Sequence, residues 1–436
     1  MPDNKTDKKN EKKSRVNFVT LGCPKNMVDS EKISASLPQH KFEIFHNSDK
    51  KSDIVVINTC GFIHDAKEES VDTILHYIDL KQKNNFKIFV TGCLAQRYKN
   101  DLLREIPLID GVFGLNETRL LLKEISKKNC ELTDHRFLST PPHYAYLKIS
   151  EGCDRKCSFC AIPSIRGANI SYPMERILEE AEMLAEKNVK ELIIIAQDIT
   201  YYGLDIYKKR SLAKLLEKLS DINQFEWIRL HYAFPAGFPE DVLDVMQSRN
   251  NICKYIDIPL QHANDEILLS MRRGIDKKGT IGLLKKIRNK VPGVALRTAF
   301  IVGYPAETRA QFTELNDFIR EQQFERLGVF AYSPEDGTEA AQFEGSISSK
   351  VKKQRMEDLM SLQQEISLAH NKKLVGKTLK VIIDRREGDF FVGRTEYDSP
   401  EIDNEVLIPL AKAQMKAGSF YTVKITRADV YDLYAE

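Results

Sequence analysis

Residues 146–160 read YLKISEGCDRKCSFC, a β-rich run followed by three cysteines, Cys153, Cys157 and Cys160, spaced C-x3-C-x2-C. Three thiols leave such a site one short of the four ligands that cysteine-built centres usually carry. A structural zinc completed by Cys253 or a histidine is one reading, although zinc sites more often pair two C-x2-C knuckles and the second is absent. Ferredoxin-type electron transfer asks for a fourth cysteine at close spacing, also missing. The third reading is a 4Fe-4S cluster with one iron left open for a substrate or cosubstrate.

The array follows a strand, and the fold is read outward from that strand. YLKIS is the first of six β-rich runs; ELIIIAQ, WIRLHYA, YIDIPL, ALRTAFIVG and LGVFAYS follow, separated by helical patterns such as MERILEEAEMLAEK. Six βα units predict a (β/α)6 partial TIM barrel, open on one side, with functional loops at the C-terminal strand ends. Upstream, VNFVTLG, DIVVINT and KIFVTG alternate with helical stretches beginning at Ser30, running from Asp65 to Lys81, and beginning at Gln96. That is the α/β signature of a parallel sheet with structure starting at Val16. Each of these strands ends in a cysteine, Cys23, Cys60 and Cys93. Singly, each reads as a small buried hydrophobe. Neighbouring parallel strands deliver their C-terminal ends to one edge, so the three thiols are expected to converge. After a helical connector over 350–372, TLKVIID, FFVGRTE, EVLIPL and FYTVKITRADVYDLY alternate with period two, predicting a small antiparallel β-barrel. The expected divisions are a disordered basic tail at 1–15, an α/β domain at 16–130, the partial barrel at 140–370 and the small barrel at 372–436.

The chain's 436 residues suit two or three domains, and 65 Lys and Arg against 63 Asp and Glu give no whole-chain footprint for nucleic acid or membrane. No leader segment is evident, and no apolar run approaches the roughly 18 residues of a membrane helix, so the protein is expected to be cytoplasmic. Eight cysteines in a reducing compartment point to metal or redox chemistry rather than disulfides. Cys130 and Cys253 fall outside both arrays and receive no role. His64, His143, His231 and His262 read as structural histidines.

The C-x3-C-x2-C array with Phe159 before its last cysteine, placed after the first strand of a barrel, resembles the radical S-adenosylmethionine superfamily. The resemblance implies that S-adenosylmethionine itself occupies the open iron and is cleaved there to a 5′-deoxyadenosyl radical. From Val16 to Glu436 the chain resembles the methylthiotransferase family of that superfamily. This implies two 4Fe-4S clusters, an auxiliary one on Cys23, Cys60 and Cys93 and a radical one on Cys153, Cys157 and Cys160, with a TRAM barrel at the C-terminus. It also implies two molecules of S-adenosylmethionine per product, one as methyl donor and one as radical source. Gln197 in IIAQD and Gly303 in IVGYP are similar to positions that contact S-adenosylmethionine, although a glutamine or glycine at a strand end is also ordinary turn chemistry.

Within the family, TLGCPKNMVDSE, AYLKISEGCDRKCSFCAIPSIRG, HYAFPAGFP, YIDIPLQHANDEILLSMRRG and DSPEID most resemble the members that methylthiolate the β-carbon of an aspartate in ribosomal protein uS12. The implied partners are uS12 or the small ribosomal subunit and an electron donor such as flavodoxin or ferredoxin. The alternative is the tRNA-modifying MiaB type. Its first cysteine motif more usually reads C-Q-M-N where this chain has Cys23, Pro24, Lys25 and Asn26, and it has V-P-Y-T-R-G where this chain has Ile162 to Gly167. A non-catalytic RNA-binding or ribosome-assembly factor is a third reading, supported by the terminal barrel alone. Charge weighs against tRNA, because from Lys372 to Glu436 11 Lys and Arg are matched by 11 Asp and Glu. Asp398, Glu401, Asp403 and Glu405 in DSPEIDNE are expected to form an acidic loop that attracts a basic ribosomal protein.

Overall fold

The computed structural model describes residues 13–412 and 414–436. It divides into two compact units, one ending at Ser139 and one running from Thr140 to Glu436. Most of the tail expected at 1–15 lies outside the described residues, and regular structure begins at Ser14, two residues before Val16.

The first unit is a parallel sheet of β1 (Ser14–Thr20), β2 (Phe42–His46), β3 (Ile54–Thr59), β4 (Lys87–Gly92) and β5 (Gly111–Val112) in the order β2-β1-β3-β4-β5. The sequence reading missed β2 and β5, which are edge strands that are short or carry polar residues among their apolar ones. Strand alternation divides the core. Val16, Phe18, Ile54, Val56 and Phe89 bury one face with Ile33 and Leu121, while Val55, Ile57, Ile88 and Val90 bury the other with Ile74, Ile78 and Leu94. Strands buried on both faces are what parallel sheets require. The helices after β1, β3 and β4 are α1 (Pro24–Ala35), α2 (His64–Lys83) and α3 (Cys93–Glu105). α2 begins within a residue of the expected Asp65, but the other two begin a turn or so earlier than expected. α1 starts directly after Cys23, with Pro24 preset for a first helical turn, and α3 starts at Cys93 itself. Residues 131–139 stay with this unit because Glu31, fully buried, accepts from the Arg136 guanidinium and from Ser139 N and Oγ, each at 2.7 Å.

The second unit opens with β6 (Tyr144–Lys148), after which β7 (Ser150–Glu151) and β8 (Ile170–Ser171) pair as a short antiparallel ladder around the cysteine loop. Then come β9 (Glu191–Ile195), β10 (Trp227–Leu230), β11 (Ile252–Asp257), β12 (Ala295–Val302) and β13 (Arg326–Ala331). Strands β6 and β9 to β13 form one six-stranded parallel sheet, β13-β12-β11-β10-β9-β6, whose ends do not pair. This is the open partial barrel read from the sequence. The helix Ser349–Lys372 leads to β14 (Thr378–Glu387), β15 (Phe390–Thr395), β16 (Glu405–Pro409), β17 (Phe420–Ala428) and β18 (Asp432–Ala435), a closed five-stranded barrel around Val381, Ile383, Val406, Ile408, Val423 and Leu433. The last run read as one strand is two, turning where Asp429 N donates to Asp432 O at 2.7 Å.

The acidic loop corrects a second expectation. The side chains of Asp398 and Asp403 are buried rather than offered to solvent. Asp398 takes Arg326 Nε at 2.9 Å, and Asp403 takes the Tyr255 hydroxyl at 2.7 Å and faces Arg297 Nε at 3.4 Å. Glu405 takes Arg385 Nη1 at 2.7 Å. The loop is mortar between the terminal barrel and the parallel sheet, because Asp398 and Asp403 meet arginines projecting from β13 and β12. Glu405 instead pairs within the barrel, and Glu401, exposed, takes the Tyr144 hydroxyl at 3.3 Å. Glu191, Arg229, Arg394 and Asp384 continue the seam, with Arg394 Nε donating to Asp384 at 2.6 Å and His143 Nε2 lying 2.8 Å from Asp384.

Candidate cluster sites

Cys23, Cys60 and Cys93 follow β1, β3 and β4, which are adjacent in the sheet, so all three thiols stand on one edge. Strand order reverses between β1 and β3, the switch point at which doubly wound sheets open a ligand crevice. The loops there are tightly closed. Gly22 takes φ +83°, and a Cβ on it would stand 2.8 Å from Cys60 Sγ, so no larger residue fits. Asn26, wholly buried in the first turn of α1, ties the three ends together. Its Nδ2 donates to Leu21 O at 2.9 Å and to Thr59 O at 3.1 Å, its carbonyl accepts from Asn58 Nδ2 at 2.8 Å, and Cys93 Sγ lies 3.7 Å from its Oδ1. The N-termini of α1 and α3 open onto the same edge, which suits an anionic group. Asn26 stood inside the quoted CPKN stretch, yet its bridging role depends on strand order and was not readable from local sequence.

In the second unit, Cys153, Cys157 and Cys160 line one pocket of about 570 Å³ together with Arg155, Ser158, Thr338 and Glu339. The loop is fixed at three points. Ser158 N donates to Met271 O at 3.3 Å, Ser158 Oγ donates to Ser270 O at 2.7 Å, and Ala340 N donates to Ser158 O at 2.9 Å. Donors reach the sulfurs, Arg155 N to Cys153 Sγ at 3.4 Å, Arg273 Nη1 to Cys157 Sγ at 3.3 Å and the Ile162 backbone N–H to Cys160. Burial pushes the Cys153 thiol up to about 11 and the Cys160 thiol up to about 12, the expected state of such thiols until a metal displaces their protons. No group of three or more His, Cys, Asp or Glu side chains among the described residues is placed to hold a single ion. Three soft thiolates around a roomy pocket instead fit a multi-atom iron-sulfur group.

The zinc alternative fails on position. Cys253 lies at the start of β11, the opposite end of the parallel sheet, packed among Trp227, Tyr255, Ala295 and Ile382. Cys130 packs on the first unit's core and donates to Ser126 Oγ at 3.3 Å. His64 is exposed. The other three histidines are buried; His231 Nε2 lies 2.9 Å from Ser399 Oγ, and burial takes His262 down to about 3.

Gln197, two residues beyond β9, donates through Nε2 to Glu151 Oε1 at 2.7 Å, while its Oε1 is buried with no partner among the described residues, as is Ser150 Oγ. Burial alone would raise Glu151, but Lys148 and Arg166 pull its carboxyl well below the usual range. Gly303 follows β12, and the Lys352 stem fills the space beside it, 2.3 Å from where a Cβ would stand.

Family models match the chain in three places, uncharacterized protein family UPF0004 over residues 15–114, the radical SAM superfamily over 147–319 and the TRAM domain over 375–436. Solved structures agree at the level of fold. The radical S-adenosylmethionine methyltransferase TsrM from Kitasatospora setae, with cobalamin and a 4Fe-4S cluster bound, superposes at TM-score 0.53 and 13% identity, over 74% of each chain. The cobalamin-dependent radical enzyme OxsB superposes at TM-score 0.51 and 15% identity, over 80% of this chain and 56% of that one. The class defined by fold and pocket is thus the radical S-adenosylmethionine proteins. Ribosomal protein uS12 methylthiotransferase RimO from Cytophaga hutchinsonii is 53% identical over 431 residues, 98% of this chain and 99% of the relative. RimO from Christiangramia forsetii is 52% identical over 98% and 94%, and RimO from Bacteroides thetaiotaomicron 50% identical over 98% of each. The chain belongs to the RimO family of methylthiotransferases.

Proposed function

We propose that this protein transfers a methylthio group to the β-carbon of an aspartate in ribosomal protein uS12. The observation that carries the reading is identity of about half over nearly the whole length of several uS12 methylthiotransferases, with Cys153, Cys157 and Cys160 gathered on one pocket. When bound, a 4Fe-4S cluster and S-adenosylmethionine supply the 5′-deoxyadenosyl radical that takes hydrogen from an unactivated C–H bond. The chain's residues hold and orient. Cys153, Cys157 and Cys160 would ligate the radical cluster, and Cys23, Cys60 and Cys93 the auxiliary one. Ser158 anchors the ligating loop, and Arg155 and Arg273 offer N–H groups to its sulfurs. Gln197 presents an oxygen unpartnered among the described residues, which would suit the amino group of S-adenosylmethionine. A ligand reaching Gly303 must displace the flexible Lys352 stem.

In this reading residues 16–130 carry the auxiliary centre, 140–370 the radical chemistry, and 372–436 the TRAM barrel. The electron comes from a small carrier of the flavodoxin or ferredoxin type, and the reaction is cytoplasmic. No helix of the described residues is long and apolar enough to cross a membrane. The TRAM barrel speaks for a nucleic-acid partner only weakly, because its basic and acidic residues balance. The test is anaerobic incubation of the reconstituted protein with S-adenosylmethionine, a low-potential reductant and either uS12, the small subunit or tRNA, read by mass spectrometry. A methylthio increment on uS12 and none on tRNA is expected; the reverse would overturn the assignment.

A further inference from the structure

We propose that Arg273 is a positioning residue that sets the reduction potential of the radical cluster through its hydrogen bond to Cys157. The inference rests on the function proposed above. Arg273 is 4% exposed and lies just after the helix Asp265–Ser270. Its Nη1 donates to Cys157 Sγ at 3.3 Å, its Nη2 donates to Pro259 O at 2.6 Å, and its guanidinium stands 4.0 Å over the Phe234 ring. Its Nε is buried with no partner among the described residues.

Arg155 offers an internal comparison. Its guanidinium stacks on the same ring at 3.9 Å, but its charge is matched by Asp198 at 2.8 Å. Among the described residues no carboxylate pairs with Arg273. An unmatched buried cation is costly, and the ring face compensates only a fraction of it. The group that Arg273 donates to and that can carry negative charge is the Cys157 sulfur, with Cys160 also within reach of its charge, so Arg273 is arranged for thiolates belonging to an anionic group. Reduction adds an electron to that group, and a cation donating to its ligand stabilises the reduced state more than the oxidised one. The bond therefore raises the potential and eases electron entry.

The experiment uses the full-length chain with Cys23→Ala, Cys60→Ala and Cys93→Ala, so that one centre contributes signal. In this background Arg273→Met and Arg273→Lys are reconstituted anaerobically, assayed for iron, and titrated potentiometrically with electron paramagnetic resonance of the reduced cluster. At fixed potential Arg273→Met is expected to lower the reduced-to-oxidised ratio about tenfold, a shift of ~59 mV to more negative values. Arg273→Lys, which keeps the charge, is expected to recover most of that shift. Full iron with an unchanged midpoint in Arg273→Met would overturn the proposal. If Arg273→Met retains too little iron to titrate, Arg273→Gln is titrated in its place. A lowered midpoint then supports the proposal, while an unchanged one, or iron loss in both variants, makes Arg273 a scaffold residue and overturns it. Were the core cysteines not to build a cluster at all, the background protein would lack iron before residue 273 was changed, which separates the two failures.

Discussion

Arg394 Nη2 donates to Glu191 Oε2 at 2.7 Å across 203 positions of sequence. Glu191, the first residue of β9, also takes Arg229 Nε at 2.7 Å, and all three side chains are buried. Burial alone would raise its carboxyl, but Arg394 and Arg229 hold it below the ordinary range. Glu191→Ala takes from buried Arg229 the carboxylate it pairs with and leaves Arg394 only Asp384 of its two carboxylates, and breaking a buried pair costs roughly 3–5 kcal/mol. Asp398→Asn and Asp403→Asn should destabilise in the same direction. Glu226→Ala, which removes the exposed partner of Lys380, should change little. Thermal melts decide this, and equal melting temperatures for the Glu191 and Glu226 variants would count against the seam.

The two cysteine trios should separate by iron content. Reconstituted protein should carry about eight irons, as two 4Fe-4S centres require. Triple alanine replacement of Cys153, Cys157 and Cys160 should halve that number and abolish 5′-deoxyadenosine formation. The same replacement of Cys23, Cys60 and Cys93 should also halve the iron, stop methylthiolation and leave some cleavage of S-adenosylmethionine. Full iron in the second variant would remove the auxiliary centre.

Turnover should release both S-adenosylhomocysteine and 5′-deoxyadenosine, because one molecule of S-adenosylmethionine gives its methyl and another its adenosyl radical. Chromatography of quenched reactions measures both. Productive turnover with only one of them would contradict the two-molecule scheme.

Asn26→Ala leaves Leu21 O and Thr59 O without the amide that joins them. Each unsatisfied buried group costs roughly 1–3 kcal/mol. The variant should therefore melt earlier and lose iron from the auxiliary site alone, with 5′-deoxyadenosine formation retained. Equal loss of iron from both sites would show that Asn26 supports the fold rather than the trio.

Asp384 is predicted to give the seam an acid limit. Its burial would raise the carboxyl, but Arg394 and His143 take it down to about 2. A carboxyl held lower in the folded chain than in the unfolded one stabilises fully above about pH 4 and loses that contribution as pH falls through the folded value. The contribution is roughly 2–3 kcal/mol. The melting difference between the native chain and Asp384→Asn should accordingly be widest near neutrality and shrink from pH 5 toward pH 2. A difference independent of pH would show that packing, not charge, is lost.

The strands that carry cysteines were legible because each combines an apolar run with a chemically conspicuous end, as in VINTC and YLKIS followed by EGC. What was not legible depends on partners distant in sequence. Asp398 and Asp403 look like an exposed acidic turn in DSPEIDNE, and only Arg326 and Arg297, some 70 to 110 residues upstream, reveal them as buried anchors. Arg273 sits in SMRRG, where two adjacent arginines look alike. The fold turns Arg272 outward to Glu339 and Arg273 inward to Cys157. Short β5 carried too few residues to show a period at all.

The seam also limits what removing the terminal barrel can reveal. A chain ending at Lys372 would uncover Trp227, Cys253, Tyr255 and Ala295, which are capped by Ile382, Tyr397 and Phe420. It would also leave Arg326 without Asp398 and Glu191 without Arg394. Truncation would thus injure the radical half directly, and a loss of substrate binding in the shortened protein would not locate the binding surface on the barrel. Point changes on the barrel's outward strands, such as Lys424 and Arg427 of β17, leave the seam untouched, and with them recognition and catalysis can be dissected separately.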